Sequence, residues 1–272
     1  MKKNIYLILA EENIFHPYYL LGIIKGLQND KYKIVGVTVA RDRNRKGFFS
    51  PYQLQFNIWG TKGFIYVGFL SAIRSILGQI DYSGNYSLKH ICKRYDIPIV
   101  ESYNVNDEKH LQFLRRKKID ILISSNGHIF KEELLKLPRI ACINRHTALL
   151  PKYGGVLPVF WAMLNKEKKF GATIHYMVKK IDEGDIIYQE ETELNGKNSL
   201  FKNYVTGFAI SIKATLKALD NLEQKKAAKR NSNTNKTYYS LPNLKDFRRF
   251  RRRYKTIEMY DIPYYILNLV KE

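Results

Sequence analysis

The first half of the chain alternates short, continuous apolar runs with stretches of helical period. Ile5–Ala10 and Ile34–Ala40 are unbroken apolar or β-branched runs, the pattern of strands buried on both faces. Between them, residues Tyr18 to Leu27 carry apolar side chains at helical spacing. Ile97–Glu101, Ile119–Ser125 and Ile140–Asn144 continue the strand pattern. Helical segments separate them at residues 107–118, with an acidic start and a basic end that suit the helix dipole, and at 131–137, stopped by Pro138. Such a βαβ succession predicts an α/β fold: a mostly parallel sheet with helices on both faces. Residues 41–83 break the rhythm; they are aromatic and glycine-rich and read as a long excursion with one or two helices. After Pro151, the spacing predicts a helix over 157–164, strands over 172–178 and 186–191, and a long amphipathic helix over 198–222. A basic, polar break follows at 224–235. The expected division is therefore a main domain over 1–223 and a basic, Tyr-rich C-terminal extension over 224–272.

With 272 residues, 45% of them hydrophobic, the chain is long enough to bury a full core, and it does not read as disordered. Its formal net charge of +21 favours anionic partners: nucleotides, phosphates, acidic lipid or nucleic acid. A Lys-rich, well-solvated surface explains the same charge without any partner. Cys92 and Cys142 have no metal-type spacing, and Cys142 lies in an apolar run, so a reducing cytoplasm is expected. The apolar run at the N-terminus is short and meets Glu11-Glu12, which suits a buried strand better than a signal peptide. The stretch from Phe64 to Ile80 carries Arg74 and is short for a bilayer span; it reads as a packed helix, with a peripheral membrane contact as the other reading.

The chemistry concentrates in two places. Asn144-Arg-His146-Thr-Ala148-Leu149-Leu150-Pro151 ends an apolar run, and Asp182-Glu-Gly-Asp-Ile-Ile187 forms an acid–glycine turn. An amide can donate to a developing oxyanion, an imidazole can accept a proton, and a carboxylate can orient the imidazole and raise its pKa. Singly, each residue reads as a turn former or a loop histidine. Together they are very similar to the Asn-x-His-x-Ser-Leu-Leu-Pro and Asp-x-Gly-x-Ile-Ile signatures of the folate-dependent formyltransferases. Gly171-Ala-Thr-Ile-His175 also resembles that family's Gly-x-Thr-x-His strand. The resemblance covers roughly residues 104–221 and implies a Rossmann-like formyltransferase fold. It further implies 10-formyltetrahydrofolate as co-substrate, a primary amine as acceptor, and no metal.

By the same resemblance, Asn144 would bind the formyl oxygen as it becomes an oxyanion, His146 would accept the amine proton or, when protonated, help hold the oxyanion, and Asp182 would pair with His146 and manage the proton through a water. His175 would lie near the site or serve structurally. The pterin pocket would be lined by Asn126, Gly127, His128 and Ile129 after the 119–125 strand, and by the loop holding Val178 and Ile181. Ala148, Leu149, Leu150 and Pro151 would form a further wall.

Departures from the family pattern narrow the acceptor. Tyr153-Gly154-Gly155 stands where the family commonly has Tyr-Arg-Gly. Ala10-Glu11-Glu12-Asn13 is acidic where a phosphate-cradling loop would be Gly/Ser-rich, which disfavours a ribonucleotide amine. The tail is too short for the barrel domain of the initiator-tRNA enzymes. Gly155-Val-Leu-Pro158-Val-Phe160-Trp161 resembles the segment of formyltransferases acting on amino sugars. A nucleotide-linked amino sugar, as used in polysaccharide biosynthesis, is the expected acceptor. Charged initiator tRNA is the alternative, and a non-catalytic folate- or nucleic-acid-binding relative the third reading. Residues 225–255 interleave arginines with Tyr238, Tyr239, Phe247, Phe250 and Tyr254. That pattern can bind nucleic acid, although the aromatic spacing favours a helix packed on the domain with solvated arginines. A homodimer through residues 260–270 is a further expectation.

Overall fold

The computed structural model describes residues 2–12, 14–41, 51–80, 87–231, 234–263 and 265. The elements follow in the order β1 (Lys3–Ala10), α1 (Phe15–Gly26), β2 (Tyr32–Ala40), α2 (Pro51–Ile80), α3 (Leu88–Arg94), β3 (Ile99–Ser102), α4 (Glu108–Arg116), β4 (Ile121–Ser125), α5 (Glu132–Leu135), β5 (Ala141–His146), β6 (Gly154–Gly155), α6 (Pro158–Leu164), β7 (Lys169–Tyr176), β8 (Ile186–Glu193), α7 (Leu200–Glu223), β9 (Tyr238–Tyr239) and α8 (Leu244–Arg253). Seven strands form one sheet in the order β3-β2-β1-β4-β5-β7-β8. The first five pair in parallel, and β7 and β8 add on antiparallel.

Side-chain alternation along β1 explains the continuous apolar run. Ile5, Leu7 and Leu9 enter the core formed with α1, α6 and α7, whereas Tyr6 and Ile8 enter the opposite core with Leu111 and Leu114 of α4 and Leu134 of α5. Both faces of the sheet are thus covered, as the sequence period predicts. The strand order reverses between β1 and β4. In parallel α/β sheets this switch point opens a crevice beyond the carboxyl ends of the strands.

The excursion over 41–83 is described only in part; residues 51–80 form α2, which is two helices joined at Gly60 (φ 70°). Arg74 is buried there and donates to the Tyr265 hydroxyl, while Ile65, Phe69 and Ile76 are exposed. Among the described residues, no helix is long and apolar enough to cross a membrane. The proposed dimer segment 260–270 lies largely outside the described residues.

The chain beyond α7 returns to the sheet's ligand-binding end. Tyr238–Tyr239 pairs in parallel with Gly154–Gly155, a small sheet that the sequence pattern did not signal. Gly155 sits at φ 95°, and a Cβ there would lie 2.2 Å from the Tyr239 carbonyl oxygen, so glycine is required. Helix α8 opens with a capping box between Asn243 and Asp246. It buries Phe247 and Phe250 completely; Phe250 stacks on Phe160 of α6 at 4.5 Å. Arg248 and Arg249 stay exposed.

Candidate active site

A cleft of about 520 Å³ lies at the switch point, lined by residues following β1, β4 and β5 and by the 177–182 loop. Strand β5 delivers Asn144 and His146 to it. The antiparallel register of β7 places His175 opposite Asn144, and the turn after β7 returns Asp182 to the same place. Asp182 adopts φ 54°, left-handed backbone that aspartate tolerates better than most residues. Gly184 completes the turn, because a Cβ there would collide with the Tyr176 carbonyl.

The three groups predicted from the sequence converge. His146 Nδ1 lies 3.8 Å from Asp182 Oδ2, and His175 Nε2 lies 3.6 Å from Asp182 Oδ1. His146 Nε2 donates to the Tyr153 carbonyl at 2.7 Å. In the neutral ring the proton therefore resides on Nε2, and Nδ1 presents a lone pair on the Asp182 side. Burial lowers the His146 pKa; Asp182 and the Tyr153 carbonyl oppose the shift without cancelling it. For Asp182, burial acts to raise the pKa, but His146 and the Gly155 N–H, 2.8 Å from Oδ2, act against it, and the carboxyl is held at about 2. At neutral pH the pair is accordingly a carboxylate beside a neutral imidazole.

His175 has a definable part. Its Nδ1 donates to the Tyr176 carbonyl at 2.9 Å, leaving Nε2 to accept from Asn144 Nδ2 at 3.3 Å. One amide hydrogen of Asn144 is thereby fixed, which orients the other. The sequence pattern left His175 undecided because a strand histidine gives no sign of what lies across the ladder.

The residues expected to line a pterin pocket after β4 and in the 177–182 loop sit along the cleft. Asn126, Gly127, His128 and Ile129 line the cleft, as do Val178 and Ile181. Ile129, Val178 and Ile181 are 65%, 46% and 48% exposed, an apolar rim around a polar floor. Asn126 shapes its loop: Nδ2 donates to the Ile8 carbonyl and Oδ1 accepts from the His128 N–H. The expected wall at Ala148, Leu149, Leu150 and Pro151 is corrected. None of the four lines this cleft. After His146 the chain turns away: the Ala148 carbonyl accepts from Thr173 Oγ1, the Leu150 N–H donates to the same oxygen, and Leu149 packs under Gly171.

The other lobe holds Glu12, His16, Gln55, Trp59, Arg145, Tyr204 and Phe208, none of which was singled out from the sequence as a site residue. The C-terminal segment also supports the site. The Asn231 side chain donates to the Asp182 carbonyl, Lys236 pairs with Glu183, and Tyr238 lines the cleft. Among the described residues, no group of His, Cys, Asp and Glu could hold a metal ion.

The cleft can bind a flat, partly apolar ligand on one side and a polar one on the other, with an amide donor, a proton acceptor and a carboxylate between them. Comparison with known proteins agrees with this geometry. Residues 83–202 match the protein family described as formyl transferase. Over 109 residues the chain is 37% identical to the methionyl-tRNA formyltransferase of Thermotoga maritima, a match covering 40% of this chain and 35% of that one. The chain spans about a third of the length of the curated methionyl-tRNA formyltransferases it matches. Among solved structures, an N-formyltransferase from Helicobacter canadensis in complex with folinic acid and dTDP-3-aminofucose aligns with a TM-score of 0.54 at 20% identity, covering 88% of this chain and 71% of that one. Phosphoribosylglycinamide formyltransferase from Bacillus halodurans aligns with a TM-score of 0.57 at 17% identity, covering 83% and 97%. Both share the fold.

Proposed function

We propose that this chain is a folate-dependent formyltransferase, as the family match over residues 83–202 and the 37% identity over 109 residues support, and that it transfers a formyl group from 10-formyltetrahydrofolate to a primary amine, with the amino group of a nucleotide-linked amino sugar as the acceptor. The observation that carries the reaction is the convergence of Asn144, His146 and Asp182 on one wall of a two-lobed cleft. The folate's pterin would lie against Ile129, Val178 and Ile181, with backbone groups of the 125–130 loop reading its edge.

The amine attacks the formyl carbon, forming a C–N bond and a tetrahedral adduct with an anionic oxygen and a cationic nitrogen. The free Asn144 N–H, oriented by His175, donates to that oxygen; one such donor contributes about 3–4 kcal/mol. His146 Nδ1 takes the ammonium proton, and the imidazolium is stabilised by Asp182. Collapse of the adduct breaks the bond to the folate N10, which takes the proton from His146. Atoms and charge balance without a covalent enzyme intermediate.

The acceptor assignment rests on the second lobe. Glu12 accepts from the backbone N–H groups of Ile14, Phe15 and His16 at the start of α1. A carboxylate thus occupies the helix N-terminus that a ribonucleotide's phosphate would need. Trp59, Tyr204 and Phe208 offer aromatic surface of the kind that suits a sugar or base. The Helicobacter canadensis neighbour, solved with an aminodeoxy nucleotide sugar, supports the same class. Charged initiator tRNA is the second reading, favoured by the 37% identity to a methionyl-tRNA formyltransferase.

The test is a panel of nucleotide-linked amino sugars and charged initiator tRNA, each supplied with 10-formyltetrahydrofolate while tetrahydrofolate release is followed. Turnover with an amino sugar is the expected result. Turnover with tRNA alone would move the acceptor to the second reading, and no turnover with any amine would refute the reaction.

A further inference from the structure

Arg145 lies between the two β5 residues that face the reaction, and the chemistry above leaves it without a task. Strand alternation sends its side chain to the opposite sheet face from Asn144 and His146, toward α1 and α7. Its Nε donates to Ser125 Oγ at 3.0 Å, and its Nη1 donates to Thr147 Oγ1 at 2.7 Å and Ser211 Oγ at 3.4 Å. The guanidinium carbon sits 4.1 Å from the centre of the Phe208 ring and 5.5 Å from that of Tyr19. All of these partners are neutral. Among the described residues no carboxylate lies within ion-pair distance of Arg145, and its Nη2 has no hydrogen-bond partner.

The carboxylate whose charge reaches it, Glu12, is already committed to three backbone N–H groups and approaches His16 Nδ1 at 3.4 Å. Burial pushes the Arg145 pKa down to about 10, with Tyr19, Tyr204 and Glu12 opposing, so the group is cationic at neutral pH. The Tyr204 hydroxyl, on the same lobe, is buried without a partner. A cation held rigidly among hydroxyls and aromatic faces, with one edge of its fork unpaired, is costly for the free protein and suited to a planar anion.

We infer that Arg145 anchors an oxyanion carried by the acceptor, a phosphate or a carboxylate, in the lobe opposite the folate. Glu12 denies that anion the start of α1, and Arg145 offers the alternative. This rests on reading that lobe as the acceptor's half of the cleft, but the test below needs no formyl donor and so stands apart from the transfer reaction.

The full-length protein is titrated at constant ionic strength with sodium pyrophosphate and, in a parallel arm, with sodium acetate. The readout is the fluorescence of Trp59, which lines this lobe. At least one anion is expected to give a saturable change. A response to pyrophosphate alone identifies a phosphate, and a response to acetate alone a carboxylate. Arg145→Gln is expected to weaken binding by about tenfold or more, as for loss of a charge-assisted hydrogen bond from Nη2. The double variant Arg248→Gln/Arg249→Gln, on the exposed face of α8, is expected to bind as the wild type does. If Arg145→Gln does not fold, Arg145→Lys decides, because it keeps the charge and loses the planar fork; binding weakened at least about threefold is expected. The inference is overturned if neither anion binds, if Arg145→Gln or Arg145→Lys binds as tightly as wild type, or if the α8 variant abolishes binding.

Discussion

Replacing Asp182 by Asn keeps the shape of the side chain and an oxygen for the Gly155 N–H, and removes one charge. That charge lies 3.8 Å from His146 Nδ1. At an effective dielectric constant of about 20, a unit pair at this separation is worth about 4 kcal/mol. Asp182 is the leading influence that opposes the burial-driven fall in the His146 pKa. If half of the interaction reaches the transition state, where the imidazolium forms, kcat falls about 30-fold; if all of it does, about 1,000-fold. The KM for 10-formyltetrahydrofolate should change by less than about threefold, because the lobe proposed for the pterin is unaltered. The pH profile carries a second sign. His146 must be deprotonated to act as base, so the wild-type kcat/KM rises with pH through a value below the ordinary histidine range. In the variant the imidazolium loses its support, and that limb moves further to acid. Steady-state kinetics across pH measures both effects. A fall of less than about fivefold, or a limb that stays in place or moves to alkaline pH, would refute the assigned pairing.

Asn144→Ala removes the oriented donor and is expected to lower kcat by about 100- to 1,000-fold, with folate binding by fluorescence titration little changed. Asp182 should also appear in acid stability. Its pKa falls from the ordinary 3.8 to about 2 on folding, so it contributes about 2 kcal/mol above the unfolded value, lost as pH drops through the folded one. Urea melts between pH 5 and pH 2 should show that loss in wild type and less of it in Asp182→Asn. Phe250→Ala is expected to cost about 3–5 kcal/mol in the same melts, because the ring is fully buried and stacked on Phe160.

The sheet was legible because its strands are buried on both faces and show as unbroken apolar runs; Ile5 to Leu9 divide between two cores without a polar interruption. Asn144, His146 and Asp182 were legible as a spaced set whose chemistry fits one reaction. Other features had no local signature. The path of residues 148–151 away from the cleft depends on hydrogen bonds to Thr173, a strand away. The β6–β9 pairing joins two glycines to two tyrosines more than eighty residues on, with no alternation to announce it. Arg145 occupies the x of the Asn-x-His pattern, and only its surroundings mark it, with no carboxylate among the described residues within ion-pair distance of its guanidinium. The packing of α8 was foreshadowed by the spacing of Phe247 and Phe250, since helical period is local information.

In the proposed reaction an amide, an imidazole and a carboxylate act together on a formyl carbon delivered by folate. The most direct measurement is a single-turnover reaction of 10-[13C]formyltetrahydrofolate with an amino-sugar nucleotide, the label being followed by NMR. Transfer of the label into a new formamide by wild type, and its loss to background in His146→Ala, is the expected result. Label recovered as free formate, or formamide produced equally well without His146, would contradict the account.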